Sequence, residues 1–358
     1  MQTLIFQTPI YITHCASIAG QKEAQGPFAN AFDMTCDDDL FGCENWDEAE
    51  TMLQKFAMET LISKTKLSPS DIDFLFAGDL LEQTTASSFG CKDYKIPYFG
   101  LYGACSTCGE ALIVASVFLD SGHAGKCITV TSSHFASAEV EFRFPLHYGN
   151  ERPLSATRTT TGCGAFLLVN SKNSTPNQPL CRITQATPGR MIDMGITDSM
   201  NMGAAMAPAA ADTLKRHFQN TKSSPSDYDL IITGDLGLIG QNALIKLLSD
   251  EGIDISKNTL DCGRLLYGAS KEFLKEMEEN HWNLNDVHTQ ASDLNTGAGG
   301  SGCGCSATLL AAHFLPKLAK KELNKILFMP TGALLSKNSF QEGRTIPSIA
   351  HALVLESC

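Results

Sequence analysis

The most pointed chemistry in this 358-residue chain surrounds Cys105 in the run Gly103-Ala-Cys-Ser-Thr-Cys108, just ahead of the apolar stretch Ala111–Leu119. A cysteine on a tight turn at a helix start feels the positive end of the helix dipole, which predicts a depressed thiol pKa. Amides of the same turn can face an oxyanion. The competing reading is a small buried hydrophobe, as many free cysteines are. Cys105 and Cys108 form C-x-x-C, and Cys303 and Cys305 form C-x-C. Those spacings sit against apolar helix and not in knuckle turns, so neither zinc nor a redox dithiol is the preferred reading, and no metal or cofactor is expected.

Other candidates lie at predicted strand ends. His134 closes Ile128-Thr-Val-Thr-Ser-Ser-His, and His351 lies in Ser348-Ile-Ala-His-Ala-Leu-Val. Asp79 and Asp235 each end an apolar run with Gly-Asp, and Asp261 opens Asp-Cys-Gly. Gly300 and Ser301 sit in the glycine-rich turn 297–304, which has no phosphate-loop lysine. Arg143, Arg152 and Arg158 fall in one polar segment, where each can clamp a carboxylate or simply be solvated.

The elements that must position these residues come in similar pairs. Ser70–Gln83 resembles Ser226–Gln241, Gly103–His134 resembles Gly299–Ser336, and Gly162–Asn170 resembles Ala350–Ser357, all in the same order. The polar stretch Asn170–Pro179 has linker composition. We therefore expect two related α/β halves, residues 1–175 and 176–358, each with buried strands such as 72–77 and 230–233 in a mixed sheet. Helices are expected over 49–66 and 210–220. The second half carries extra residues between its Gly-Asp and its glycine turn, an insertion at about 268–295 with a charged helix candidate at 271–283 and the character of a lid or dimer element.

Composition narrows the function classes. A net charge of −12 with no Lys/Arg cluster beyond 317–325 argues against nucleic acid. An odd count of 13 cysteines in a chain this long argues for free thiols and not a disulfide framework. The start Met1–His14 has neither the early positive charge nor the apolar run of a signal peptide, and the charge-free stretch 294–316 is too rich in Gly, Ser and Asn for a membrane span.

Two α/β halves with a cysteine opening a central helix resemble the thiolase and ketoacyl-synthase superfamily. That resemblance implies a five-layer α-β-α-β-α sandwich and a homodimer. Enzymes of that superfamily pair the cysteine with two second-half residues, His with His or His with Asn. Here the corresponding positions hold Asp235 and Gly300-Ser301. An ionised carboxylate repels developing negative charge, so condensing activity is expected to be lost, with Cys105 a vestigial nucleophile; a Cys105 acyltransferase is the alternative.

The runs AGDLLEQ (77–83), FGLYGACSTC (99–108), TSSH (131–134), 189–213, DYDLIITGDLG (227–237), DCG (261–263), GGSGCGCSA (299–307) and TGALLS (331–336) resemble the stage V sporulation protein AD branch of that fold. The resemblance implies binding of dipicolinic acid (pyridine-2,6-dicarboxylate), with calcium as a bridge, and uptake into the developing spore. It also implies membrane partners from the same sporulation operon and a peripheral place at the forespore inner membrane. The residues expected to line the pocket are Cys105, Asp79, His134, Asp235, Asp261, Gly300, Ser301 and His351.

Overall fold

The computed structural model describes residues 3–143, 152–171, 178–270 and 294–358, together with 275 and 291–292. Ten strands give the main sheet its order. They are β1 (Leu4–Ala19), β2 (Phe74–Gly78), β3 (Tyr98–Gly100), β4 (Lys126–Ser133), β5 (Gly162–Asn170), β6 (Cys181–Thr187), β7 (Leu230–Thr233), β8 (Thr259–Asp261), β9 (Lys325–Met329) and β10 (Ala352–Glu356). The order runs β8-β7-β9-β10-β6-β1-β5-β4-β2-β3, and the two-residue strand Met34–Thr35 adds to β1. It reads symmetrically about the antiparallel β6–β1 pairing. On one side β2 is parallel to β3 and β4, and β4 is antiparallel to β5. On the other, β7 is parallel to β8 and β9, and β9 is antiparallel to β10. This is the mixed α/β sheet expected.

Strand side chains alternate between faces, and the alternation builds the layers. Phe76, Cys127, Phe166 and Leu168 of the first strand set point into the same core as Ile232, Ile326, Phe328 and Leu353 of the second. Between them lie helices α3 (Thr107–Ser121) and α8 (Cys303–Leu309). The opposite face of the first set, including Leu75, Val130 and Ala165, packs under α1 (Trp46–Thr65). The opposite face of the second, including Ile231, Leu327 and Val354, packs under α5 (Met202–Thr221) and α6 (Gly237–Ser249). Three cores separated by two strand layers make the five-layer sandwich.

Local chemistry repeats with the sequence motif. Ser68-Pro-Ser-Asp71 and Ser224-Pro-Ser-Asp227 each form a short helical turn closed by a capping box. Asp73 Oδ2 accepts from the Gly125 and Lys126 amides at 2.7 and 2.9 Å. Asp229 Oδ2 accepts from the Asn324 and Lys325 amides at 2.5 and 2.9 Å. Each aspartate ties the start of β2 or β7 to the start of the neighbouring parallel strand.

Three boundaries differ from expectation. α1 starts at Trp46, because Asn45 caps it by accepting from the Glu48 amide at 2.9 Å. α5 starts at Met202, through an alanine-rich stretch that shows no apolar–polar period yet is largely buried. The first buried strand starts at Phe74 and not at Ile72. The 271–283 helix candidate, but for residue 275, and the middle of the Asn170–Pro179 linker lie outside the described residues. At the ends of the insertion, Ala269–Ser270 pairs in parallel with Ala291–Ser292. Among the described residues one stretch, Ala104–Ser121, is long and apolar enough to cross a membrane, and 67% of it is buried inside the protein as the central helix. Glu110 and Asp120 interrupt it, so it is not a charge-free run in the sequence.

Candidate functional site

The Cys105 turn is held in a strained shape. Ala104 has φ of +49°, a left-handed conformation that costs a residue with a Cβ about 1–3 kcal/mol. Its neighbours fasten it. Thr107 Oγ1 donates to the Ala104 carbonyl at 2.6 Å and accepts from the Gly103 amide at 3.0 Å, while Ser106 Oγ donates to the Gly103 carbonyl at 2.6 Å. The second half presses on the same turn. A Cβ on Gly332 would lie 2.3 Å from the Gly103 carbonyl oxygen.

Asp235 meets Cys105 from the second half. The Cys105 thiol donates to the Asp235 carboxyl, and Thr331 Oγ1 donates to Asp235 Oδ1 at 2.6 Å. Asp235 is fully buried, and its Oδ2 has no hydrogen-bond partner of ordinary geometry. Burial is the main reason its pKa is pushed up to about 7; Thr331 and Cys105 oppose that rise, and the Asp261 charge adds to it. The Cys105 pKa is pushed well above the ordinary thiol range, first by burial and then by the Asp235 carboxyl. This corrects the expected depression: the helix dipole is outweighed by desolvation and a neighbouring acid. The Gly302 amide acts on both groups and favours their charged forms.

Gly302, and neither Gly300 nor Ser301, is therefore the glycine-turn residue at Cys105. Its φ of +95° and a Cβ position 2.5 Å from Ser133 Oγ require glycine there. Gly300 and Ser301 pair in parallel with Arg158 and Thr159 and are buried as packing. The only sequence signal for Gly302 was membership of the same glycine run.

A small, partly open pocket lies against Cys105. Its walls include Leu80, Tyr102, Glu141, Met202 and Leu335, and among the described residues neither lysine nor arginine lines it. Glu141 belongs to α4 (Phe135–Phe142), and burial raises its pKa. Asp235 does not line the cavity; it lies behind Cys105.

The other expected site residues are occupied elsewhere. Asp79 accepts from the Leu81 amide at 2.8 Å, the Ser87 amide at 2.7 Å and Ser87 Oγ at 2.5 Å, so it clasps its own loop. Asp261 accepts from Thr233 Oγ1 at 2.7 Å and from the Leu236, Gly237 and Arg264 amides at 2.8, 3.0 and 3.2 Å. Its carboxylate is filled by capping α7 (Cys262–Tyr267) and by the turn into α6. His134 caps α4: Nδ1 accepts from the Ala136 amide at 3.2 Å, and Nε2 donates to the Asp39 carbonyl at 2.7 Å. Neither nitrogen is left for a ligand carboxylate. His351 Nδ1 accepts from the Gly189 amide at 3.1 Å, and burial pushes its pKa down to about 4, so the ring is neutral. It does not line the Cys105 cavity. Arg143 and Arg152 both pair with Glu139.

The profile described as stage V sporulation protein AD (SpoVAD) matches residues 1–356. The chain belongs to that family. It is 39% identical over 355 residues to stage V sporulation protein AD of Bacillus subtilis (strain 168), covering 99% of this chain and 96% of that protein. Solved structures agree on the fold. Human mitochondrial 3-ketoacyl-CoA thiolase in complex with CoA superposes with a TM-score of 0.57 at 12% identity, over 99% of both chains. Xanthomonas campestris OleA gives 0.55 at 12% identity, again over 99% of both. The 3-oxoacyl-(acyl carrier protein) synthase III of Xanthomonas oryzae gives 0.54 at 13%, over 98% of this chain and 100% of that one. A SpoVAD-family chain thus carries a thiolase-like fold with a thiol–carboxyl pair at its cysteine.

Proposed function

We propose that this sporulation protein binds dipicolinic acid in the Cys105 cavity, without catalysis, and assists its uptake into the developing spore. The observation that carries the reading is the chemistry of the pocket: a neutral thiol at its base, apolar walls and, among the described residues, one acid and no cation. A bare dianion is poorly matched to such walls, whereas a calcium chelate of dipicolinate has its charge neutralised by the metal. Glu141 then supplies one further oxygen ligand at the mouth. The acid behind the cysteine supports the loss of condensing activity, because it holds the thiol protonated.

Calorimetry with dipicolinate, with and without calcium chloride, tests this. Saturable heat that grows with calcium and is lost in Cys105→Arg is the expected result, and the absence of heat up to about millimolar ligand sinks the reading. Mass measurement after incubation with acyl-CoA tests the acyltransferase alternative: stoichiometric acylation absent from Cys105→Ser overturns the non-catalytic assignment.

Membrane proteins of the same operon and a peripheral site on the forespore inner membrane complete the proposal. So does a homodimer formed at β3, the terminal strand of the sheet, where Tyr98, Phe99 and Tyr102 are exposed. An unpaired strand edge flanked by aromatic side chains is suited to pairing with a second copy.

A further inference from the structure

Arg152 and Arg158 gather over Phe135, the first residue of α4, and Lys22, from the far N-terminal part of the chain, lies within reach of their charges. The Arg158 guanidinium carbon lies 3.6 Å from the centre of the Phe135 ring, and that of Arg152 lies 5.1 Å from it. The two arginines differ in occupancy. Arg152 donates to Glu139 and to the Thr157 carbonyl. Arg158 donates to no acceptor among the described residues, and its Nε is buried without a partner. Lys22 is half-buried, and its pKa is lowered by burial, then by the Arg158 charge, with a smaller push from Arg152.

Three cations held together, one of them partly desolvated and unpaired, carry an electrostatic cost that an anion removes. The nearby acids offset it only in part: Glu23 and Asp39 both act on Lys22, Asp39 least and from an exposed position, and Glu23 feels the Arg158 charge. Glu139 is shared between Arg143 and Arg152. Glu23 is fully buried and bonded to Tyr267 and the Thr161 amide, and burial favours its neutral form. In a chain of net charge −12, such a local excess of positive charge is the exception.

We propose that Lys22 and Arg158 form a binding site for a single oxyanion group, a phosphate or carboxylate, distinct from the Cys105 cavity. The planar guanidinium, pinned by its stack on Phe135, offers a fork of N–H donors, and Lys22 adds a point charge. The group is either a free ion or the headgroup of an anionic lipid.

The test is calorimetric titration of the full chain with inorganic phosphate, alongside cosedimentation with phosphatidylglycerol and phosphatidylcholine vesicles. Wild-type protein is expected to bind at least one of the two anionic probes, with affinity falling about tenfold or more in Arg158→Gln and less in Arg158→Lys. Phosphate binding without vesicle binding assigns a soluble ion; phosphatidylglycerol-dependent sedimentation lost in Arg158→Gln assigns a lipid headgroup. Should Arg158→Gln fail to give a normal melting transition, Lys22→Gln at the half-exposed lysine replaces it, with the same loss expected. Unchanged affinity in the folded variants, or no binding of either anionic probe by wild type, overturns the proposal.

Discussion

The Cys105 thiol interacts with the buried Asp235 carboxyl, and Thr331 Oγ1 donates to Oδ1 of that carboxyl at 2.6 Å. The pair joins the two sequence halves: the cysteine comes from the turn before α3, the acid from the end of β7. It also inverts the reactivity that the helix N-terminus alone would confer.

Cys105 should alkylate slowly. In peptide-resolved mass spectrometry with iodoacetamide, exposed Cys358 should react first. Asp235→Asn removes the charge and the acceptor that hold the thiol protonated, so Cys105 labelling at fixed pH should accelerate by about tenfold. Equal rates in the two proteins would show that burial alone controls the thiol.

Asp235 should also make ligand binding depend on pH. Its pKa of about 7 means that it carries little charge at mildly acidic pH and gains negative charge through neutrality. Dipicolinate affinity without calcium should fall as pH rises through about 7, and Asp235→Asn should flatten that profile. Calorimetry across the range reads this directly.

Two buried acids set a stability profile. Glu50 is pushed up to about 8 by burial and by the Asp79 charge, despite hydrogen bonds from Ser132 and Ser137. Both Glu50 and Asp235 hold protons in the folded chain where the unfolded chain has lost them, from 4.5 and 3.8 upward. Stability contributed by these groups is therefore full at low pH, is lost as pH rises toward about 7 and 8, and levels off above. Glu50→Gln should flatten the fall in melting temperature between about pH 5 and pH 8.

Asp261 should prove structural. Asp261→Ala leaves three amides and a hydroxyl without their acceptor, and urea unfolding should show a loss of about 3 kcal/mol or more. A loss below about 1 kcal/mol would mean that water replaces the carboxylate.

Gly332→Ala should disturb the cysteine turn from the opposite half, because its Cβ would meet the Gly103 carbonyl at 2.3 Å. The expected outcome is a lower melting temperature together with faster Cys105 alkylation.

Much of the fold was legible because its signals are local. The Ser-Pro-Ser-Asp boxes, the apolar runs that follow and the Gly-Asp strand ends recur along the chain, and each repeat builds the same strand start. Of the residues expected at the site, the structure brings Cys105 and Asp235 together. Asp79 and Asp235 occupy matching places in the repeat, yet Asp79 turns onto Leu81 and Ser87 while Asp235 faces Thr331 and Cys105. His134 ends a strand as a ligand-facing residue would, yet both of its nitrogens are engaged, by the start of α4 and by the Asp39 carbonyl.

From the sequence by itself came the family, the duplicated α/β plan and the cysteine at the head of a buried helix, since periodicity, caps and turns act between near neighbours. Only the tertiary structure decided the state of that cysteine, the use of the Gly302 amide, the gathering of Arg152 and Arg158 over Phe135, and the approach of Lys22 to their charges. Those depend on burial and on charges brought together across more than a hundred residues of chain, and desolvation and Coulomb energy follow distance in space, not separation in sequence.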